Sequence, residues 1–446
     1  VGGPIIQNKL FFFADVERIK QDAQASATTS PTFAAIQTQY PFIPAPFRDT
    51  FSLARVDWNA PKGMHVFARI AYGVTSDDSN YADLYSLYNS RNNVPAYVGG
   101  VDFTTGRFTH SFRGGYEKFH NLLSDGTAGV TSIYNPSTAI GVPVTLLDGQ
   151  DGFYAGPNYL APQGTYQSGK QIRYDGTWTK GQHSVRFGAS MNRLLGGGFA
   201  EFYGQSLYTV FGAANLVSGG NPADPINGYA AEYYILGNGN GFFSEKPGFG
   251  LKGGGLEDWR SAWYVGDTWK VSQSLTASFG LRWSVDTDRA NQDLPTPSCA
   301  SVAPSLQFPG CTSTSNTNLF DQFQQGLGKP TKQPYANFAP QVGFVFSPGA
   351  HKFAFRGGAG IFYDSDIFNN TSNARSQAVN ANGNYFNYAG LCGQFHARVI
   401  MPDGSVVTSI NGVSLSTVCA EPIAQAAPQV AAVKAAYQAA SQTGGP

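Results

Sequence analysis

The sequence has little charge and no long apolar run. Only 13% of its 446 residues are Asp, Glu, Lys or Arg, about half of the roughly 25% typical of soluble proteins. Its 29 basic and 29 acidic residues cancel, which argues against a nucleic-acid-binding protein because such proteins carry a basic surface. No stretch approaches the roughly 18 apolar residues of a membrane helix. Aromatic residues and glycine are abundant instead, with 33 Phe, 23 Tyr and 53 Gly, and this composition favours a large β protein over a disordered chain.

Cysteine and catalytic motifs are also scarce. The four cysteines show no C-x-x-C spacing, so a metal site is not indicated. Their even number and loop positions favour two local disulfides in an oxidising compartment, Cys299–Cys311 and Cys392–Cys419, with four unpaired cysteines as the alternative. No G-x-S-x-G motif is present and the six histidines are dispersed. We therefore expect no enzyme activity, no cofactor and no metal site.

Apolar and polar residues alternate along several segments. In residues 275–286 (LTASFGLRWSVD), the apolar side chains share one parity, and the other parity is small, polar or charged. This pattern predicts a strand with one apolar and one wet face. The same alternation appears in residues 64–76, 166–178, 183–193 and 351–364. The charges that we expect on the wet face are Arg173, Asp175, Arg186, Arg282, Asp286 and Arg356.

The connections between these strands differ sharply in length. Tight turns lie at 60–63, 179–182, 271–274 and 348–350, and all of them except 271–274 contain Gly. Long connections rich in Gly, Asn, Ser, Pro and Tyr lie at 77–99, 122–164, 194–258, 287–336 and 365–446. Short connections at one end of a sheet and long ones at the other are the rule for outer-membrane barrels. We therefore predict an all-β, antiparallel up-and-down transmembrane β-barrel with long extracellular loops.

The six tryptophans all lie in predicted strands. This placement is typical of the aromatic girdles at membrane interfaces, and the core of a soluble β-sandwich is the alternative. A coarse count gives about 11 or 12 strands. The chain begins at Val1 with neither an initiator methionine nor a signal peptide, so we expect it to be a piece of a longer protein. Large outer-membrane transporters have 22 strands, about twice this count.

Five stretches resemble the barrel of TonB-dependent outer-membrane receptors, in particular the Oar-like group with a carboxypeptidase-regulatory-like domain. Each stretch is modest alone, but all five occur in the family's order. They are residues 2–17 (GGPIIQNKLFFFADVE), 49–68 (DTFSLARVDWNAPKGMHVFA), 178–188 (WTKGQHSVRFG), 266–283 (GDTWKVSQSLTASFGLRW), and 337–344 (NFAPQVGF) with 356–364 (RGGAGIFYD). The plug, the TonB box and the regulatory domain of that family would lie upstream of Val1.

The resemblance implies a domain organisation and a function. Residues 1–364 would form the first half of the receptor barrel. Residues 365–446 would form a long extracellular loop in which the Ala-rich segment 421–440 makes one or two short helices. The whole protein would sit in the outer membrane of a Gram-negative-type bacterium. There it would take up a scarce carbohydrate, peptide or siderophore, with energy from the TonB complex acting on the plug.

Two other functions fit the same sequence. The first is a passive porin or a structural outer-membrane barrel, and the second is a secreted carbohydrate-binding β protein. A ligand role is also open for six aromatic residues of the long 194–258 connection, because ring faces beside hydroxyl groups suit sugar or siderophore binding. We favour the alternative that these side chains pack the loop against itself and against its neighbours. They are Tyr208, Tyr229, Tyr233, Tyr234, Phe242 and Phe243.

Overall fold

The computed structural model describes residues 1–79, 84–201, 203–237, 242–243, 256–287, 334–349, 353–364 and 388–443. The strands in chain order are β1 (Gly2–Ile6), β2 (Leu10–Ser26), β3 (Phe42–Ala60), β4 (Met64–Ser79), β5 (Tyr88–Thr105), β6 (Phe108–Asp125), β7 (Val144–Asp148), β8 (Phe153–Ala155), β9 (Gln163–Lys180), β10 (His183–Ala200), β11 (Leu207–Val210), β12 (Tyr233–Gly237), β13 (Phe242–Phe243), β14 (Leu256–Lys270), β15 (Leu275–Asp286), β16 (Phe338–Phe346), β17 (Phe355–Gly360), β18 (Tyr388–Leu391), β19 (Val399–Ile400), β20 (Val406–Val407), β21 (Ser409–Ile410) and β22 (Val413–Ser414). The helices are α1 (Ala34–Gln39), α2 (Pro136–Ile140), α3 (Leu415–Val418) and α4 (Ile423–Thr443).

Most of these strands form one large antiparallel sheet, which we call the wall. Its order is β1-β2-β3-β4-β5-β6-β9-β10-β14-β15-β16-β17, and the two-residue β13 pairs with β10. Each wall strand on this path pairs with the next one along the chain, so the topology is up-and-down. The predicted all-β fold class is confirmed, and the 12 strands on the path agree with the expected 11 or 12.

The register assigns every wall residue to one of two faces. Trp263 lies opposite Trp283, and Leu281 lies opposite Val265, so the apolar parities of neighbouring strands coincide. We call this the outer face, and the opposite one the polar face. All six tryptophans belong to the outer face, where Trp58 and Trp263 are each 46% exposed. A sandwich core would bury such side chains, whereas lipid-facing girdles expose them.

The short and long connections separate to opposite ends of the wall. Two-residue turns close β5 to β6 and β9 to β10, and each begins at a glycine, Gly106 or Gly181, with φ of 58°. Positive φ is what tight antiparallel hairpins require and what glycine adopts without strain. We call this the turn end, and we call the other end, where the long connections lie, the cap end.

The strands continue further toward the cap end than their sequence pattern predicts. The predicted long connection 77–99 was wrong, because β4 reaches Ser79 and β5 begins at Tyr88. Parts of 122–164 and 194–258 likewise belong to wall strands. Beyond the lipid both faces of a strand meet water, so the apolar–polar alternation that reveals a strand disappears. The connection 287–336 lies almost wholly outside the described residues.

The long connections fold together into a second structure, which we call the cap. Its five-stranded sheet has the order β18-β12-β11-β7-β8 and includes one parallel pair, β7 with β11. Fully buried side chains from four separate connections, such as Phe33, Tyr85, Phe153 and Phe211, share its core. Helix α4 adds Ala426 and Val430, among others, to the same core. The cap therefore gains an apolar core that no single loop could form.

The Ala-rich segment forms one 21-residue helix, α4, rather than one or two short helices. Alanine is the strongest helix former, and burial against the cap sheet offsets the hydrogen bond lost at the internal Pro428. The helix begins where the backbone N–H groups of Ile423 and Ala424 donate to the carbonyl groups of Tyr229 and Ile226. Within the described residues, no helix is both long enough and apolar enough to span a membrane.

Candidate functional site

The structure divides the six predicted aromatic residues into three groups. Tyr229 and Tyr234 are 3% and 0% exposed and pack in the cap core, as the packing alternative predicted. Tyr208 and Tyr233 are half-buried and lie on the opposite face of the cap sheet. Residues 242–243 form β13, which pairs with Phe199 and Ala200 of the wall. Of the four whose side chains the structure describes, Tyr208 and Tyr233 are therefore the two on an accessible cap surface.

Tyr208 belongs to a group of tyrosines that we call the tyrosine cluster. Tyr203 lies 4.9 Å from Tyr208 and 5.6 Å from Tyr159 between ring centroids, and the Tyr159 and Tyr208 rings are 5.7 Å apart. The Tyr388 ring lies 6.0 Å from that of Tyr203. These distances are those of stacked and edge-to-face aromatic pairs. With Tyr154, Tyr233 and Phe395 at its edges, the cluster covers one face of the cap sheet.

The sequence alone could not predict that these rings lie close together. Tyr159, Tyr203 and Tyr388 come from three different connections, and the parallel pairing of β7 with β11 aligns the first two of those connections. Pairings of this kind link residues far apart in the chain and leave no local pattern. The available signal was the alternation of Tyr208 with buried Leu207 and Thr209 in a four-residue strand, which is too short to read by periodicity.

Burial changes the acid–base behaviour of the cluster. Desolvation raises the pKa of the Tyr203 hydroxyl to about 12. It also raises the pKa of Tyr208 well above the ordinary value for tyrosine. A phenol held this far from ionisation stays neutral at physiological pH, so it both donates and accepts hydrogen bonds. Ring faces beside neutral hydroxyl groups suit ligands that combine apolar surface with hydroxyl or amide groups.

Helix α4 holds the segment that carries Tyr203 and Tyr208. The buried Nζ of Lys434 donates to the carbonyl oxygen of Ser206 at 2.7 Å. Nε2 of Gln438 donates to the carbonyl oxygens of Gly204 at 2.9 Å and Gly237 at 3.2 Å. Backbone carbonyl groups buried beneath the cluster are thereby satisfied by the helix. The cluster geometry consequently depends on the docking of α4.

The backbone at Tyr203 is also constrained. Its φ of 57° lies in the left-handed region, which a bulky side chain rarely adopts. A Cβ atom at Gly237 would approach the carbonyl oxygen of Tyr203 to 2.4 Å. Gly237 therefore allows the close approach that fixes this unusual backbone, and strained positions of this type are often found at functional sites.

The polar face of the wall carries the predicted charges. Arg173, Asp175, Arg186, Arg282, Asp286 and Arg356 share this face by register. The Tyr264 hydroxyl donates to Asp175 at 2.6 Å, and Nε of Arg173 lies 2.6 Å from the other oxygen of the same carboxylate. Hydrogen bonds and ion pairs of this kind give the charged side chains protein partners, so these side chains need not be fully exposed to water.

A groove of about 480 Å³ lies on the same face and is lined by Arg186, Arg282, Tyr264, Gly266 and Gly280, among others. Neither Arg186 nor Arg282 has a carboxylate oxygen within 4 Å among the described residues. The groove is therefore cationic, and Gly266 and Gly280 leave room in it because they have no side chain. In the part of the chain that the structure describes, no group of three or more His, Cys, Asp or Glu could hold a metal ion.

The predicted disulfide between Cys392 and Cys419 is present, with a Cα–Cα distance of 5.5 Å. It joins the segment after β18 to the end of α3, so it closes the part of the cap that precedes α4. The other predicted pair, Cys299–Cys311, lies outside the described residues.

A large antiparallel sheet with an exposed apolar face, a polar face and its short turns at one end has the arrangement of the wall of an outer-membrane barrel. Residues 31–442 match the family described as the outer membrane beta barrel domain, and the chain belongs to this family. The predicted location in the bacterial outer membrane is thereby confirmed. No curated protein matches the chain.

Several solved structures resemble the chain. The outer membrane transporter YddB from Escherichia coli is 11% identical with a TM-score of 0.45, over 78% of this chain and 35% of its own. The siderophore receptor PirA from Acinetobacter baumannii is 10% identical with a TM-score of 0.41, over 80% and 39%. The ferric enterobactin receptor PfeA from Pseudomonas aeruginosa is 11% identical with a TM-score of 0.39, over 80% and 40%. The chain thus spans less than half the length of each structure.

Proposed function

We propose that this chain is part of a TonB-dependent outer-membrane receptor of the Oar-like group that takes up a scarce nutrient. The observation that carries the proposal is the tyrosine cluster on a folded cap at the end of the wall where the long connections lie. In outer-membrane barrels the long connections face the outside of the cell. A preformed aromatic surface at that end is suited to capture a ligand before it passes along the polar face.

The ligand is a carbohydrate, a peptide or a siderophore. Ligands of these three classes carry apolar or ring surfaces edged by hydroxyl, amide or carbonyl groups. The rings and the hydroxyl groups of the tyrosine cluster can contact both kinds of surface. Capture and passage require no covalent step, so the proposal includes no catalytic residue, cofactor or metal. The energy would come from the TonB complex acting on a plug encoded upstream of Val1.

A passive porin is the competing function, because a polar face also lines an open channel. Membership of an outer-membrane family argues against the secreted carbohydrate-binding protein. The folded cap favours a receptor over a porin, since a preformed aromatic surface at the end of the long connections suits capture of a ligand rather than free diffusion.

The proposal can be tested with cells that express the full-length protein. We would measure uptake of radiolabelled ferric siderophores, oligosaccharides and oligopeptides, with and without a protonophore and with and without a functional TonB gene. We expect uptake of one class of compound, and we expect this uptake to stop both when the protonophore is added and when the TonB gene is not functional. Uptake that persists in both cases would instead establish a porin.

Substitution in the tyrosine cluster provides the second part of the test. Tyr203→Ala combined with Tyr208→Ala should weaken binding of the same compound at least about tenfold, because a buried aromatic contact contributes 1–2 kcal/mol or more. Tyr97→Ala is the matched control, since Tyr97 is 45% exposed on the outer face of the wall. Equal binding by the cluster variant and the control would refute a ligand role for the cluster.

A further inference from the structure

Thr145 is a buried polar residue on the face of the cap sheet that carries the tyrosine cluster. It lies opposite Tyr208 in the parallel pairing of β7 with β11, and it is 0% exposed. Successive side chains of a strand point to opposite faces, and the next residue, Leu146, packs in the cap core. Valine has nearly the same shape and would avoid the cost of burying a hydroxyl group. The hydroxyl group of Thr145 therefore needs an explanation.

The Thr145 hydroxyl group links helix α4 to the segment before Tyr159. Oγ1 of Thr145 donates to the carbonyl oxygen of Pro157 at 2.5 Å and lies 2.5 Å from Oγ of Ser206. A hydroxyl group has one proton to donate, so Ser206 is the donor in the second hydrogen bond. The carbonyl oxygen of Ser206 accepts from Nζ of Lys434 at 2.7 Å. We call this series from Lys434 through Ser206 and Thr145 to Pro157 the buried chain.

The buried chain reaches both segments that supply the stacked rings of the cluster. Pro157 precedes Tyr159 by two residues, and Ser206 lies three residues after Tyr203. The rings of Tyr159 and Tyr203 are nearly parallel, with an interplanar angle of 15°. Because both segments are tied to one helix through the same hydrogen bonds, a break in the chain would move one ring relative to the other.

The backbone around Tyr159 is held on one side by Asn158. This residue is 2% exposed, and its Nδ2 donates to the carbonyl oxygen of Ser86 at 3.0 Å. Its Oδ1 accepts from the backbone N–H of Leu160 at 3.0 Å, which forms an Asx-turn. The buried chain, which ends at Pro157, fixes the other side of the turn that presents the Tyr159 ring.

The hydroxyl groups and the ammonium group of the buried chain are shielded from water. Thr145, Ser206 and Lys434 are 0%, 3% and 6% exposed. A buried network in which each polar group has a partner holds one arrangement, because a rearrangement leaves a polar group unsatisfied. The buried chain is therefore rigid, and it restricts the two segments that carry the rings.

We propose that Thr145 is a positioning residue for ligand capture. Its two hydrogen bonds fix the Tyr159 ring against that of Tyr203, and they thereby shape the surface that a ligand contacts. Thr145 itself is buried too deeply to touch the ligand. A ring surface that is fixed before binding loses less freedom when the ligand arrives, so it binds more tightly than a mobile one. The part of this inference that concerns the ligand rests on the proposed function, whereas the effect of Thr145 on the two rings does not.

The test compares Thr145→Val with Thr145→Ser in the full-length protein in micelles. Valine keeps the shape of threonine and lacks the hydroxyl group, whereas serine keeps the hydroxyl group and lacks the methyl group. If hydrogen bonds position the rings, valine disturbs them and serine does not, and if Thr145 only fills space, the reverse holds. The matched control is Thr209→Val, which removes a buried hydroxyl group from the core face of the same sheet. Oγ1 of Thr209 donates to the carbonyl oxygen of Leu207 and takes no part in the buried chain.

The readout is the rate at which tetranitromethane nitrates individual tyrosines, measured by mass spectrometry of peptides. Thr145→Val should raise the rate at Tyr159 and Tyr203 at least about fivefold, because an unsatisfied buried polar group costs enough free energy to shift the ring arrangement by that factor. Thr145→Ser and Thr209→Val should stay within about twofold of the wild-type rate. Tyr234, which is 0% exposed in the cap core, should stay protected in every variant, since the cap remains folded.

Two results would overturn the inference. The first is a wild-type nitration rate at both ring positions in Thr145→Val. The second is nitration of Tyr234 together with the ring tyrosines in both Thr145 variants, because that pattern indicates a general loss of cap packing. If Thr145→Val does not fold, Ser206→Ala replaces it, since this variant breaks the same buried chain by removing one oxygen atom. Ser206→Ala should raise the two rates to the same extent, and unchanged rates would again contradict the inference.

A binding arm separates this inference from the proposed function. It uses the radiolabelled siderophore, oligosaccharide or oligopeptide that the uptake assay selects, which Thr145→Val should bind about tenfold more weakly than Thr145→Ser does. Equal binding by these two variants, where Tyr203→Ala with Tyr208→Ala weakens binding, would overturn the inference and leave the proposed function intact. If the double tyrosine variant binds normally, the proposed function fails, and the nitration rates alone decide whether Thr145 positions the rings.

Discussion

Lys434 shows how one buried charge couples the cap to pH. Its side chain is 6% exposed, and burial lowers the pKa of its ammonium group from 10.5 to about 8. Between these values the unfolded chain binds a proton that the folded chain does not, so the free energy of unfolding rises with pH. From pH 7 to 9.5 the gain for the cap should be about 2 kcal/mol. Above about pH 10 the tyrosines of the unfolded chain ionise and reverse this trend.

The measurement is urea unfolding of the cap in the full-length protein in micelles, followed by near-ultraviolet circular dichroism. Lys434→Met should abolish the rise between pH 7 and 9.5. Lys170→Met, at an exposed position on the wall, should leave it intact. A wild-type cap whose stability is flat over this range would contradict the assignment of Lys434 as a buried ammonium group.

At the same scale, the faces of the wall residues were predictable and the cap residues were not. The parity of Phe279 or Trp283 follows from local alternation, because lipid and lumen impose opposite demands on successive side chains. Tyr229 and Tyr208 stand in one connection, yet the first is in the core and the second lies half-buried on the opposite face of the cap sheet. Whether each side chain is buried depends on pairing with strands far away in the chain, and the amino-acid composition does not reveal that pairing.

Among the elements, the segment 388–443 depends on its disulfide. The bond spans 27 residues of sequence and links β18, at the edge of the cap sheet, to the end of α3, directly before α4. Closing a loop of this length removes unfolded-state entropy worth about 3–4 kcal/mol. Cys392→Ala with Cys419→Ala should therefore destabilise α4 and expose it to protease, whereas the wall stays folded.

Limited proteolysis of intact cells gives the rate of cleavage in α4, and heat-modifiable mobility on gels reports the wall. The variant Ser441→Ala is a suitable control, because it removes a hydroxyl from the same helix without touching the disulfide. Cleavage of the double variant at the wild-type rate would show that packing alone holds the helix.

The wall strands and the cap strands differ in how far sequence predicts them. Strands of 12 to 19 residues such as β3 and β15 carry enough alternation to be recognised. The cap strands have three to five residues, and they pair across long separations, as β12 does with β18. Short strands stabilised by a shared core are a property of the assembled loops and not of any one of them.

At the scale of the whole molecule, the cap unites connections that leave the wall at different strands. Phe33 follows β2, Tyr85 precedes β5, and Phe153 precedes β9. The ring centroid of Phe153 nevertheless lies 4.5 Å from that of Phe33 and 6.3 Å from that of Tyr85. The cap therefore ties the ends of several wall strands together. Segments 1–364 and 365–446 remain a predicted division of the chain, and the cap takes residues from both.

This arrangement predicts the orientation of the chain in the membrane. The turn end, with Gly181, should face the periplasm, and the exposed Gly404 of the cap connection should face outside, because outer-membrane barrels keep short turns inside. Epitope tags inserted after each glycine in the full-length protein can be detected with antibody on intact and on permeabilised cells. We expect the tag after Gly404 to be stained in both, and the tag after Gly181 only after permeabilisation. Staining of the Gly181 tag on intact cells would invert the wall and place the tyrosine cluster in the periplasm, where it could not capture an external ligand.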